Sequence, residues 1–322
     1  MNWKKWIATA MLPVVIIWLS GFNQGSISYA QEQKTTEAEI LELALEKLTS
    51  AESMRSSLVM DMDIEVFRLR TGIEASMDMV SFRSPMKIKS EMNLDMGLLG
   101  KTELEAYATE KDGNYQLFVK GADGWKAGDA AISEVQKYDG RELVKVYLEQ
   151  VEELEVTGTK MLDGKKVYQF SGVVKSDGLK KVLLDTGCLQ ILATLFQDSI
   201  LKSLGGFLAR EEEVAKLLQL AEDMELTLFI DAQTGYPLQC TMDITEMMSD
   251  AYDLMTPKVT KGIGKSEKDI WSQIEVTKTQ IVIKCSQFNT AEDFTIPKAA
   301  RRAQSTQFAR SAQGLLGVIG KN

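Results

Sequence analysis

Apolar and polar residues alternate along this chain in two rhythms, and the switches between them mark its elements. From Thr35 to Ser50 the apolar residues Ala38, Ile40, Leu41, Leu43, Ala44 and Leu48 fall at helical spacing behind Thr35 and Thr36, either of which suits an N-cap. The period then drops to two: Leu58, Met60, Met62, Ile64 and Val66 alternate with Val59, Asp61, Asp63 and Glu65. Ile73 to Phe82 repeats the rule, and Met86, Ile88, Ser90, Met92, Leu94 and Met96 oppose Lys87, Lys89, Glu91, Asn93 and Asp95. Leu104–Ala106–Ala108 and Tyr115–Leu117–Val119 follow, joined by a turn at 111–114. Five consecutive strands with short connections predict an antiparallel meander with one apolar and one wet face.

The pattern then becomes mixed. Arg141 to Leu154 reads as a short amphipathic helix, and residues 156–160 and 165–175 as a hairpin turning on Asp163-Gly164. Residues 178–223 read as a helical insertion, with Gly205-Gly206 separating two helices. Its first part, with Leu183, Leu184, Leu192, Leu195 and Phe196, is apolar around much of its circumference and needs cover on more than one side. Strands resume at Leu226 to Asp231 and Pro237 to Thr245, Met247 to Lys268 looks irregular, and Gln273 to Ser286 forms one long last strand. Nine or ten strands with an N-terminal helix and a helical insertion predict one α+β domain, a curved antiparallel sheet packed on helices.

The N-terminus has a different character. Lys4 and Lys5 precede an almost unbroken apolar run from Trp6 to Leu19, and Ser28-Tyr29-Ala30 places small residues at both cleavage-determining positions. This predicts a signal peptide over residues 1–30, cut between Ala30 and Gln31, and an extracytoplasmic protein, secreted or held in the cell envelope. Retention as an anchor is the alternative, although the run is short for a span and Pro13 interrupts it. Cleavage removes two lysines and no acid, taking the formal net charge from −9 to −11. That sign argues against nucleic acid as a partner.

Composition narrows the chemistry. The chain has no histidine, which excludes Ser-His-Asp and Cys-His nucleophilic arrangements and any His-bound metal. Its three cysteines, Cys188, Cys240 and Cys285, make no disulfide framework; Cys240 lines up with Leu238 and Met242, Cys285 with Ile281 and Ile283, and the two can pair or stay as buried free thiols. Asp61, Asp63 and Glu65 share one strand face, where a solvated surface explains them more simply than acid–base catalysis. No cofactor or metal site is expected, Gly262 to Ser266 lacks the context of a phosphate loop, and the chain reads as non-enzymatic. Trp125, Tyr115 and Phe118 read either as an aromatic platform or as strand aromatics packed on the sheet. The apolar sheet face holds half of the 16 methionines, and this flexible side chain suits both an ordinary core and a surface for variable apolar partners. From Lys298 to Asn322 the chain is basic and free of acids, ending in Leu315, Leu316, Val318 and Ile319. A frayed terminus and a peripheral contact with an anionic membrane both fit this stretch.

The order of signal peptide, helix, meander and helical insertion, then Leu228 to Leu238 opening a hairpin and Phe294-Thr295-Ile296-Pro297 closing the domain, resembles the LolA/LppX-like extracytoplasmic lipoprotein-carrier superfamily over roughly residues 35–299. Within it the chain is similar to a group of Gram-positive cell-envelope lipoproteins, but it lacks a lipobox cysteine. The resemblance implies an unclosed β-barrel wrapped around a helical lid, a single domain over 31–299, a basic tail over 300–322, and an apolar cavity holding a lipid or acyl-bearing ligand. Residues placed to line such a cavity are Met60, Met62, Met77, Met79, Ile88 and Met92 of the meander and Leu184, Leu192 and Phe196 of the insertion. The competing expectation is an envelope interaction or scaffold protein whose sheet is filled by its own helices.

Overall fold

The computed structural model describes residues 36–66, 69–95, 100–111, 113–121, 124–130, 132–136, 139–185, 216, 218–259 and 273–303. Helix α1 (Glu37–Ser50) starts in a capping box: Thr36 Oγ1 accepts from the Glu39 amide, and the Glu39 carboxylate accepts from the Thr36 amide at 2.8 Å. Its Ile40–Ala44–Leu48 stripe faces the core, with Ala44 and Leu48 fully buried. A meander of six strands follows: β1 (Ser53–Val66), β2 (Leu69–Phe82), β3 (Lys87–Asp95), β4 (Lys101–Lys111), β5 (Asn114–Gly121) and β6 (Gly124–Ala130). In β3 every second side chain from Ile88 to Leu94 is buried, as the period-two pattern requires.

After β6 come α2 (Ile132–Gln136) and α3 (Gly140–Leu148), then β7 (Val151–Leu162), β8 (Lys165–Val174), α4 (Ser176–Asp185), β9 (Met224–Asp231), β10 (Pro237–Asp243), α5 (Thr245–Val259), β11 (Ile274–Ser286) and α6 (Lys298–Arg301). The eleven strands form one antiparallel sheet in the order β6-β5-β4-β3-β2-β1-β11-β10-β9-β8-β7. First and last strands pair in the middle, while β6 and β7 occupy opposite edges, so the sheet is open. This topology explains the helices. The connection from β6 to β7 must cross a whole sheet face, and α3 lies on that path against β1 and β2, with α1 and α4 beside it. The main core fills the space between them, from Met54 and Met79 through Leu143, Tyr147 and Leu148 to Phe170, Leu226, Leu228 and Ile230. Burying each of these larger side chains is worth about 1.5–3 kcal/mol.

The unclosed antiparallel sheet with helices is the architecture expected from the sequence, with local corrections. Helix α3 ends at Leu148; of the residues expected to continue it, Glu149 and Gln150 form a turn and Val151 to Leu154 belong to β7. The supposedly irregular stretch after Met247 carries α5, with Pro257 in its last turn. Leu238 does not share a side with Cys240 and Met242: a register shift between Pro237 and Gln239 turns it onto Val167 and Phe229. The expected helical insertion begins as α4, and residues 186–215 lie outside the described residues.

Candidate functional site

Side chains that share a face line up in rows across the paired strands. One such row runs Phe170, Leu228, Cys240, Ile283, Leu58, Met77, Met92, Leu104, on eight adjacent strands without a polar residue. At about 4.8 Å per strand it is some 34 Å long. The next row holds Leu226, Met242, Ile281, Met60, Ala75 and Leu94, and a third begins Thr279, Met62, Ile73. Met79 and Ile88 lie on the same face, so all six meander residues expected to line a cavity point one way. Leu192 and Phe196 lie outside the described residues, as does the side chain of Leu184 in α4.

Burial is uneven along these rows. Phe170, Leu228, Ile283, Met79, Ile88 and Met92 are each at most 3% exposed. In the middle of the sheet, Leu58, Met60, Met62, Ile73, Ala75, Met77 and Ile281 are only half-buried. The cause is visible at the start of β1, where α3 sits directly on the strand: a β-carbon on Gly140 would stand 2.0 Å from Ser56 Oγ. That end is locked by Arg141, which donates from Nε to both Asp139 carboxylate oxygens at 3.0 Å and from Nη1 to the Ala51 carbonyl at 2.8 Å, all buried. Cover falls away along β1 from Ser56 toward Met62, about 20 Å of strand. The result is an incompletely covered apolar patch rich in methionine, which adapts to the shape of what it touches.

Three hydroxyls border this patch. Ser56 Oγ and Ser90 Oγ lie in the row beside Leu58, Met77 and Met92, and Thr279 Oγ1 faces Met62 across the β1–β11 pair. They are the buried side-chain polar atoms without a hydrogen-bond partner among the described residues, and leaving one so costs about 1–3 kcal/mol. The alternation hinted at them, since Ser90 occupies an apolar phase between Ile88 and Met92.

Other candidates separate from the patch. Asp61 and Asp63 are exposed on the opposite face. Among the described residues no group of three or more acidic or cysteine side chains is arranged to hold a metal ion, and no helix is long and apolar enough to cross a membrane. Trp125 and Phe118 join Tyr107, Phe294, Ile296 and Ala300 on that opposite face, whereas Tyr115 packs with Ile88 and Val135, so the three aromatics form no common platform. Cys240 and Cys285 are buried free thiols, each pushed up to about 12 by burial.

No protein-family model matches the sequence, and no curated relative does either. In structure the chain is similar to the lipoprotein LppX from Mycobacterium tuberculosis, at 11% identity and a TM-score of 0.39 over 81% of this chain and 100% of that one. It is also similar to LprF from Mycobacterium bovis (13% identity, TM-score 0.38, 82% of this chain and 97% of that one). A LolA-superfamily protein from Nitrosomonas europaea aligns at 8% identity and a TM-score of 0.22, over 80% of this chain and 95% of that one.

Proposed function

We propose that this chain is an exported, non-enzymatic binding protein that holds a lipid or other acyl-bearing ligand against the methionine patch of its sheet. One observation supports the reading: apolar rows that are buried toward β8 and toward β3 are only half-buried at Leu58, Met60, Met62 and Met77 between them. An apolar surface left partly open inside a folded chain is suited to an apolar occupant. The ligand-contacting residues of this reading are Met60, Met62, Met77, Met79, Ile88 and Met92, with Leu184, Leu192 and Phe196 of the insertion completing the enclosure. Export follows from the N-terminal pattern, and N-terminal sequencing of envelope or medium material should begin at Gln31, whereas an intact Met1 start would mean a retained anchor. The basic stretch after Lys298 is a further proposed contact, with an anionic membrane surface.

Mass spectrometry of organic extracts from natively purified protein tests the central reading. A stoichiometric lipid or acyl compound is the expected result. Protein that carries none, and takes up none when offered, would favour the filled-core scaffold, a reading supported by the buried core that residues of α1 and α3 share with β8–β11.

A further inference from the structure

On the sheet face away from the methionine patch, charge is sorted by position. Five basic side chains of the meander are each matched by an acid: Arg55 by Asp78, Lys87 by Asp293, Lys89 by Glu91, Lys101 by Asp95 and Lys120 by Glu105. Helix α6 differs. Lys298, Arg301 and Arg302 are exposed, no ion pair joins them to an acid among the described residues, and Arg301 donates from Nε to the Ile296 carbonyl at 3.1 Å. Ala300, fully buried between them, fixes this helix against Tyr107 and Phe118 beside the half-buried Trp125 ring, at the β5–β6 edge of the sheet. Lys120 Nζ stands 5.9 Å from the centre of that ring. Resting on the membrane contact proposed for the basic stretch after Lys298, we infer that the folded domain itself takes part: α6 and the β5–β6 edge form the surface that meets an anionic bilayer, with Trp125 at headgroup level.

Unpaired cations on one turn of helix give up no internal partner on reaching an anionic surface, whereas the paired cations elsewhere must exchange a carboxylate for a lipid phosphate. Each basic residue close to such a surface strengthens attachment about fivefold. The exported chain as a whole carries −11, so it approaches an anionic bilayer only by a locally basic side. Asp61, Glu74 and Asp95 stand directly opposite one another across β1, β2 and β3, and this like-charged row disfavours contact through the central strands. Trp125 supplies what charge alone does not. An amphipathic ring exposed in part at a sheet edge belongs between headgroups and acyl chains, where a lysine beside it reaches the phosphates. A soluble polyanion would satisfy the cations and leave the ring out. The apolar row of the other face ends at Leu104 on β4, two strands from this edge, so contact here brings that end of the row nearest the bilayer.

The test uses the chain from Gln31 to Asn322 carrying Trp271→Phe, which leaves Trp125 as its tryptophan. Vesicles of equal parts phosphatidylglycerol and phosphatidylcholine are compared with phosphatidylcholine alone, and with mixtures whose phosphatidylcholine is brominated on its acyl chains as a short-range quencher. Sedimentation should show attachment to the anionic vesicles that high salt reverses. Trp125 emission should shift to the blue on attachment and be quenched by the brominated lipid. Lys298→Gln with Arg302→Gln, sparing the hydrogen-bonded Arg301, should weaken attachment about tenfold or more, while Lys101→Gln, toward the acidic row, stays within about twofold. Thermal melts establish that each variant is folded; should Trp271→Phe not fold, the difference between wild type and Trp125→Phe reads the same signal. Attachment with Trp125 emission unshifted and unquenched, or equal losses from both sets of substitutions, would overturn the inference and leave a contact of the tail alone. No attachment of the wild-type chain to anionic vesicles would remove the membrane reading itself, and the inference with it.

Discussion

Gly140, in the first turn of α3, lies close against Ser56 of β1. A methyl group there would stand 2.0 Å from Ser56 Oγ and 3.0 Å from Ser56 Cβ, so Gly140→Ala must push the helix off β1 or force Ser56 aside. A loss of about 1–3 kcal/mol in denaturant unfolding is expected, and an unchanged midpoint would mean that α3 does not rest on this strand. Asp231 gives a prediction about acid. Burial alone would raise its carboxyl pKa, but hydrogen bonds from the Gln233 and Thr234 amides and the charge of Lys165 outweigh it and hold the value below 3.8. A lowered folded value means stability that is present above pH 3.8 and lost as the pH falls through the folded value. Asp231→Asn should therefore be less stable than wild type at neutral pH, and the difference should shrink below pH 3.8 in acid unfolding curves. At this scale the alternation of β1–β3 was enough to place Met60, Met62, Met77, Met79, Ile88 and Met92 on one face, because a strand has only two. It misplaced Leu238, whose side is set by a bulge and not by counting.

Among the elements, the segment that follows β11 fastens the two halves of the sheet on the face away from the patch. Asn289 donates to the Ser53 carbonyl at 2.7 Å, Lys87 pairs with Asp293 and donates to the Phe294 carbonyl, and the Phe294 ring stands 6.0 Å from Phe82 and 5.7 Å from Tyr107. Phe294→Ala should cost about 3 kcal/mol or somewhat less, given its partial exposure, and should leave acyl-probe affinity unchanged, as melts and titrations on one preparation would show. A parallel loss of affinity would mean that the two faces are coupled. At the open edge, β7 is broken by register shifts and holds Glu153 at φ 52°, which blunts a strand otherwise free to pair with another chain. The meander and the last strand were legible because their period is unambiguous. β6, with three small residues and a glycine start, and α5, with an interior proline, carry weak local signals and owe their form to their neighbours.

For the whole molecule, the pairing of β1 with β11 joins two runs of strands that the chain lays down on either side of a crossover. Among the described residues the same crossover lays α3 on β1 and β2, while Leu58, Met60, Met62 and Met77 of the methionine face are half-buried. That unevenness was not readable from periodicity, which distinguishes the apolar side of a strand from the wet one but does not tell a covered position from an open one. The central claim is that the half-covered patch takes up an apolar chain. It is tested most directly by titrating wild type, Met62→Asp and Asp61→Asn with a fluorescent fatty acyl probe, after melts have shown all three to be folded. Wild type should bind saturably, Met62→Asp should weaken binding by about tenfold or more because a carboxylate would enter the apolar contact, and Asp61→Asn, exposed on the opposite face, should stay within about twofold. No uptake by wild type, or equal losses from both substitutions, would contradict the account.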